Sequence, residues 1–511
     1  MTNPTAALRI IIVYLVCITL AVAVGYMLTD PLDYGTLFIF CLIAAILASP
    51  FIIKWYYPIL LFGLGSPIYC FFFPGDPPLS QVVVLLCLGI AIINRAINSE
   101  RTFISAPIMT WALLYTIAMV VCTAELTGGA GLHQLGGEVG GGKKYITLLI
   151  GVLSYFALVS YRIPRNKLTF YLALYFLPGT LSFVSDLFPY LPKPLNYINL
   201  LMPPSVGAGD EGPVLRLGAL AGTAGAIMNF MTAKYGLRGI FRIENPFRFL
   251  IFFVAGVLSL FGGFRIILVN FALLFFLVFF FEGLHRTRMV MVFTLLGFFS
   301  VAVLFAASDK LPLGVQRSLT VVPFLKLDPI AVADADESKR WREDMWRDVW
   351  PKVPQYLFLG KGYALTAEDF QAMGTGTFAE GGLDKDASGL AVSMDYHNGP
   401  LSTLMPFGIW GMISFLWIAT ASLWITYRNM KYGDPSLQLV NNMLFAGAIV
   451  HVVNYFFLFG AYVNDVGGFM QVVGFSVALN WGVSKPKPQP VREIVAKPIY
   501  LARRFGESFT R

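Results

Sequence analysis

"LRIIIVYLVCITLAVAVGYML", residues 8–28, is an unbroken apolar stretch whose one charged residue, Arg9, lies next to its start. A helix of this length, rising 1.5 Å per residue, can cross the roughly 30 Å hydrocarbon core of a bilayer. The stretch is too long for the apolar core of a signal peptide and lacks a small-residue cleavage site. It therefore predicts a retained membrane span.

Comparable apolar stretches recur almost to the end of the 511-residue chain, which is 57% hydrophobic and 13% charged. A soluble domain carries about 25% charged residues, so this composition is typical of a membrane protein. The sequence predicts an all-α, polytopic transmembrane helical bundle with about 12–14 spans. The predicted segments are 8–28, 35–50, 56–73, 80–96, 104–122, 145–161, 168–187, 214–233, 249–263, 265–282, 289–307, 399–426, 438–460 and 465–483.

The distribution of basic residues predicts the orientation. If the N-terminus is inside, 22 of the 37 Lys and Arg residues fall on inner connections and the C-terminal tail. The positive-inside rule then places both termini in the cytoplasm, and it explains the net charge of +8 by anionic lipid rather than by nucleic acid. The predicted divisions are 1–213 and 214–307 (transmembrane helices), 308–398 (outer loop), 399–483 (C-terminal transmembrane helices) and 484–511 (basic tail).

The outer loop, 308–398, holds ten Lys/Arg and fourteen Asp/Glu and is far longer than an ordinary connection, which indicates a functional or disordered segment. Within "ESKRWREDMWRDVW", Trp341, Met345 and Val349 recur at helical spacing and charged residues fill the opposite face. This pattern predicts an amphipathic helix on the membrane surface or over a cavity mouth, ended by Pro351. The Gly- and Asp-rich stretch 364–389 predicts a mobile flap.

Arg216 and Arg265 each occupy the outer end of a predicted span. The positive-inside rule disfavours arginine there, and partial burial costs roughly 2–3 kcal/mol. One interpretation is snorkelling to outer headgroups. The other is a shared site for a phosphate group, because guanidinium stays charged and binds phosphate through two hydrogen bonds.

The remaining motifs are less informative. The glycine-rich stretch 128–144, with His133, predicts a flexible linker rather than a phosphate loop, because no strand precedes it. His451 in mid-span predicts a structural hydrogen-bonding role, and His285 lies in a basic turn. The five cysteines form no CxxC or Cys/His cluster, so the sequence offers no ligand set for a metal.

"YHNGPLSTLMPFGIWG", residues 396–411, places His397-Asn398 at a loop–helix junction, nine residues before a Gly-x-x-Gly motif formed by Gly408 and Gly411. This arrangement resembles the signature of bacterial O-antigen ligases and polymerases, which are GT-C-type glycosyltransferases. "RLGALAG" (216–222), "GGFRIILV" (262–269) and "RWREDMW…FLGKGYA" (340–364) resemble further elements of that family, in the same order. The resemblance covers about 214–412. One departure is "LAGTAGAIMN", which stands where the family usually has a Gly-Asn-Pro-Asn turn.

The resemblance implies a GT-C-like, metal- and cofactor-independent enzyme of the bacterial inner membrane with a periplasmic active site. Its donor would be an undecaprenyl-diphosphate-linked glycan, and its acceptor a glycan or a lipid A core sugar. His397 would activate the acceptor hydroxyl, with Asn398 orienting it or the sugar. Arg216 and Arg265, helped by Arg342 or Lys361, would bind the diphosphate. A structural cap is the other interpretation of His397.

Three alternatives stay open at this point. A polymerase of the same family would differ from a ligase only in its acceptor, a second lipid-linked repeat. A lipid-linked oligosaccharide flippase would require mid-span charges and internal repeats, of which the sequence shows few signs. A non-catalytic scaffold would leave His397 and the arginines without a role.

Overall fold

The computed structural model describes residues 4–27, 29, 34–98, 103–128, 142–195, 197–204, 214–364 and 394–486. Within these ranges the chain is helical and forms no strand beyond one isolated bridge between Tyr69 and Pro78. This confirms the predicted all-α polytopic bundle. The linker with His133, most of the predicted flap and most of the basic tail lie outside the described residues.

The described residues of the first half of the chain form nine α-helices, several of them short. They are α1 (Pro4–Met27), α2 (Tyr34–Leu47), α3 (Ser49–Gly65), α4 (Leu79–Ile97), α5 (Pro107–Thr127), α6 (Gly142–Leu158), α7 (Leu168–Phe176), α8 (Phe183–Leu187) and α9 (Ile198–Leu201).

The described residues of the second half form four apolar helices of different lengths, the helices of the outer loop and three C-terminal helices. They are α10 (Gly218–Ile240), α11 (Pro246–Leu260), α12 (Arg265–Phe281), α13 (Met289–Ala307), α14 (Leu313–Leu319), α15 (Pro329–Val349), α16 (Val353–Tyr356), α17 (Gly399–Tyr432), α18 (Gln438–Val453) and α19 (Tyr462–Asn480).

A helix overlaps each of the fourteen predicted spans, but fewer helices are long enough to cross a membrane by themselves. Among the described residues six qualify by length and composition, or seven if the bent pair Phe38–Ala44 and Ser49–Gly65 forms one span. Helices α11 and α12 are apolar but shorter. The third predicted span, 56–73, is misplaced, because α3 runs from Ser49 to Gly65 and the aromatic residues that follow form a turn.

Polar side chains join the helices inside the bundle. Thr116 on α5 lies 2.7 Å from the Ser414 hydroxyl on α17, which in turn lies 2.9 Å from the Tyr462 hydroxyl on α19. Gly151 of α6 and Gly467 of α19 allow these two helices to approach closely. Small residues and interhelical hydrogen bonds are the usual means by which helices associate in lipid, where apolar burial supplies little driving force.

The outer loop is anchored at a break in α17. Gly408 has φ of 60° and interrupts the helix, and the Ile409 N–H donates to the Leu357 carbonyl at 2.7 Å. A Cβ at Gly408 would lie 2.6 Å from that carbonyl oxygen, so only glycine allows this approach. The break in α17 therefore fixes the loop against the bundle.

Helix α15 is the principal element of the loop. Asp328 caps it by accepting from the Ile330 N–H at 2.8 Å, and Pro329 occupies the first helical position. Met345 and Val349 are buried while the opposite face is exposed, which confirms the predicted amphipathic character. The helix begins well before the predicted segment and ends at Val349, just before Pro351. Its position brings the loop over the N-terminal ends of α10 and α12.

Candidate active site

Arg216 and Arg265 come together because two chain segments meet at the starts of α10 and α12. The Leu217 N–H, directly before α10, donates to the Phe261 carbonyl at 3.0 Å, and Arg265 is the first residue of α12. Gly263, between Phe261 and Arg265 in the sequence, has φ of 69°, and a Cβ there would lie 3.1 Å from Cγ of Arg216. The glycine turn thus lets the arginine stem pack directly on the backbone. Arg216 lies just before the N-terminus of α10 and Arg265 lies at the N-terminus of α12, and the helix dipole favours anions at such ends.

Helix α15 provides acceptors for both arginines. Arg216 Nη2 donates to the two carboxylate oxygens of Asp334 at 2.8 and 3.1 Å. Arg265 Nη2 donates to the Ala335 carbonyl at 2.8 Å. The arginine side chains therefore point towards the outer loop, where a soluble part of a ligand could reach them.

A third arginine, which no motif in the sequence indicates, lies at the centre of this group. Arg317 on α14 is 4% exposed and donates to Asp334, to the Gly263 carbonyl and, at 2.6 Å, to the Ser338 hydroxyl. Burial lowers the pKa of the Arg317 guanidinium, Asp334 opposes this, and Arg216 and Arg265 lower it further. The signal in the sequence was an arginine inside the short apolar segment "LPLGVQRSL", which has no partner nearby along the chain.

Arg342, two turns further along α15, completes what we call the arginine cluster: Arg216, Arg265, Arg317 and Arg342. Burial lowers the pKa of Arg342, with additional contributions from the charges of Arg265 and Arg317. Four guanidinium charges against the Asp334 carboxylate leave three positive charges unneutralised among these five side chains. Among the described residues, the buried Nε atoms of Arg216 and Arg342 have no hydrogen-bond partner. Buried donors without acceptors are costly, and an anionic ligand would satisfy them.

Trp341 connects the arginine cluster to His397. The Arg342 guanidinium lies 5.5 Å from the Trp341 ring centroid, and the His397 ring lies 5.7 Å from it on an edge-to-face geometry. Further along α15, Trp346 Nε1 donates to the Tyr396 carbonyl at 2.7 Å, directly before His397. One helix therefore positions both halves of the candidate site.

His397 has a left-handed backbone, with φ of 48°, and a partly buried side chain that is 16% exposed. Its ring stacks on Phe459 with centroids 4.1 Å apart. Nδ1 lies 3.4 Å from Oδ1 of Asp395, close enough for ionic attraction, although the geometry is not that of a hydrogen bond. Burial raises the pKa of the Asp395 carboxyl, but His397 and then Lys144 more than offset this, so the pKa lies below its ordinary value. An ionised Asp395 can orient the imidazole and stabilise its protonated form.

Lys144 is a second residue that the sequence analysis did not place at this site. It lies in the first turn of α6, and its Nζ lies 5.4 Å from the Tyr363 ring centroid. Burial lowers the pKa of this amine to about 8, although the charge of Asp395 opposes the shift. Lys144 thus interacts electrostatically with Asp395, which lies beside His397, although the two residues are far apart along the chain.

The other predicted site residues have mainly structural contacts. Asn398, not His397, caps α17, because its Oδ1 accepts from the Leu401 N–H at 3.1 Å. The Lys361 N–H donates to the Met405 carbonyl at 2.7 Å, which places this residue beside the break in α17. Gly411 lies within α17 just after this break, and a Cβ there would lie 2.5 Å from Cβ of Phe407 in the same helix.

The other described histidines lie elsewhere. His451 on α18 packs near Phe469 with ring centroids 5.5 Å apart, and His285 stacks on Phe280 in the turn after α12. In the part of the chain that the structure describes, no three His, Cys, Asp or Glu side chains are grouped closely enough to hold a metal ion.

Comparison with protein families adds an independent finding. Residues 249–416 match the family model described as O-antigen ligase. This region contains most of α11, the helices α12 to α16, the outer loop and the first half of α17, and so includes Arg265, Arg317, Arg342 and His397. Comparison with curated proteins gives no match.

Proposed function

We propose that this multi-pass membrane protein is a glycosyltransferase-type enzyme of the O-antigen ligase/polymerase family, and the family match over residues 249–416 supports this proposal. The protein transfers a glycan from undecaprenyl diphosphate to an acceptor sugar hydroxyl, with lipid A core as the acceptor. The reaction takes place at the periplasmic face of the bacterial inner membrane, and both termini lie in the cytoplasm.

The observation that carries this proposal is the arginine cluster with its unpartnered donors. A diphosphate offers several anionic oxygens, which suit the buried Nε atoms of Arg216 and Arg342 and the three unneutralised charges. Guanidinium groups bind phosphate through pairs of charged hydrogen bonds, and such groups act most strongly where water is excluded. Arg216, Arg265 and Arg342 bind the donor diphosphate in this proposal, and Lys361 contributes a further cation.

His397 acts on the acceptor. Its imidazole accepts the proton of the acceptor hydroxyl as that oxygen attacks the anomeric carbon of the donor glycan. The bond between this carbon and the diphosphate breaks, and undecaprenyl diphosphate leaves with its charge stabilised by the arginine cluster. Asp395 stabilises the resulting imidazolium. Asn398 fixes the start of α17, and its amide contacts the acceptor sugar.

The reaction requires no divalent metal in this proposal, because the arginines supply the positive charge that a metal provides to nucleotide-sugar enzymes. The experiment uses purified protein in nanodiscs, a radiolabelled lipid-linked donor and a lipid A core acceptor, with and without EDTA. We expect labelled acceptor in both conditions. Absence of any transfer would contradict the proposed reaction, and loss of transfer in EDTA alone would contradict the metal-independent mechanism.

A polymerase reaction uses the same chemistry with a second lipid-linked repeat as acceptor. The surface glycan of a deletion strain separates the two: long chains retained on the carrier indicate a ligase, and single repeats indicate a polymerase.

A further inference from the structure

The arginine cluster contains its own anion, the carboxylate of Asp334. We propose that Asp334 is an internal counterion that the donor diphosphate displaces from Arg216, and that its return to Arg216 helps the diphosphate product to leave. This inference rests on the proposed function, since it assumes that the cluster binds a diphosphate. It makes Asp334 a positioning residue, because it acts through the arginines.

The contacts of Arg216 and Arg317 differ, and the difference allows a ligand anion to replace Asp334 at Arg216 but not at Arg317. Arg317 is almost fully buried and is held by Asp334, the Gly263 carbonyl and Ser338. Arg216 is 19% exposed and donates to Asp334 alone, and its Nε has no partner among the described residues. A phosphate oxygen can replace the carboxylate at Arg216 while Asp334 keeps its contact with Arg317. Both anions present oxygens that accept from the same guanidinium edge.

The need for such a counterion follows from the chemistry of transfer. When the bond between the sugar and the diphosphate breaks, the freed terminal phosphate gains an ionisable oxygen. The product is therefore more negative than the donor, and a cluster with three unneutralised charges holds the product more strongly than the donor. A carboxylate that competes for Arg216 reduces this retention. Because Asp334 is attached to α15, it is always available at the site.

The test compares Asp334→Asn with wild type, using farnesyl diphosphate as a soluble competitive inhibitor of transfer. Asparagine keeps the size of the side chain but removes the competing charge from a partly exposed site. We expect the inhibition constant to fall on the order of tenfold. KM for the donor and kcat should fall together, because product release becomes slower. Asp336→Asn is the matched control: it removes the same charge from an exposed position on the same helix and should leave these constants unchanged.

The outcomes separate this inference from the proposed function. If wild type is not inhibited by farnesyl diphosphate, the diphosphate site itself is wrong, and this inference fails with it. If wild type is inhibited but Asp334→Asn raises both the inhibition constant and KM, Asp334 only holds the arginines in place, and this inference alone is wrong.

A measurement on wild type covers the case in which Asp334→Asn does not fold. Hydrogen exchange of residues 330–338 on α15 should become faster when farnesyl diphosphate is added, because the contact between Asp334 and Arg216 is lost. Unchanged or slower exchange in inhibited protein would contradict displacement.

Discussion

Arg216→Lys and Arg265→Lys test whether these residues bind the donor or only snorkel. Lysine keeps the charge on a long stem, which is all that a snorkelling residue requires. It has one nitrogen where the guanidinium has three: Arg216 Nη2 donates to Asp334 at 2.8 and 3.1 Å, and the buried Nε is a further donor that lysine lacks. Loss of one charged hydrogen bond costs about 1.5–3 kcal/mol. That corresponds to a decrease of roughly ten- to a hundredfold in kcat/KM for each variant.

The assay is transfer from purified lipid-linked donor by each variant in nanodiscs, after gel filtration has shown normal insertion. Arg238→Lys is the matched control, since Arg238 lies near the other end of α10 and is exposed. We expect this control to turn over like wild type. If Arg216→Lys and Arg265→Lys also do so, the two arginines do not bind the diphosphate.

Three further predictions concern the loop, its charges and its orientation. Gly408→Ala should lower the thermal midpoint, because a left-handed backbone costs a non-glycine residue about 1–2 kcal/mol and the new Cβ would meet a carbonyl oxygen. Gly256→Ala is the control and should leave the midpoint unchanged, because a Cβ there meets nothing within 4 Å. Burial lowers the pKa of Lys144 from 10.5 to about 8, so between these pH values the unfolded protein binds more protons than the folded protein. The stability of wild type should therefore rise from pH 8 to pH 10.5. Lys144→Met should lack this rise when thermal melts are measured across the pH series. Cysteines substituted at Gly381 and Lys385 should react with an impermeant thiol reagent in intact cells, and cysteines in the C-terminal tail should not. Labelling of the tail in intact cells would contradict the predicted orientation.

The hydropathy pattern along the chain was sufficient to predict most of the helices. Long apolar stretches gave helices at nearly every predicted position, because a backbone in lipid must satisfy its own hydrogen bonds. The prediction failed at 56–73, where "SPIYCFFFPG" is as apolar as a span but contains two prolines and a glycine that end α3 and form a turn. Hydropathy alone does not distinguish an apolar turn from an apolar helix.

The candidate site was less predictable because it depends on contacts between distant residues. The position of Arg216 and Arg265 at the outer ends of spans indicated an unusual role, and the structure places them together with Arg342. Arg317 and Asp334 acquire their importance only when α14 and α15 pack over those helix ends. No spacing along the chain reveals such a contact. The residue that caps α17 was also hard to predict, although it is next to the helix in the sequence. His397 has a left-handed backbone, and Asn398 occupies the capping position.

Transfer by His397→Asn, measured alongside inhibition by farnesyl diphosphate, tests whether His397 activates the acceptor. Asparagine tolerates the left-handed backbone at this position but cannot act as a base near neutral pH. We predict that transfer falls at least about a hundredfold, as expected for loss of a general base. The inhibition constant for farnesyl diphosphate should stay close to that of wild type, because the arginine cluster is intact. Near-normal transfer by the folded variant would contradict the assignment of His397 as the group that activates the acceptor.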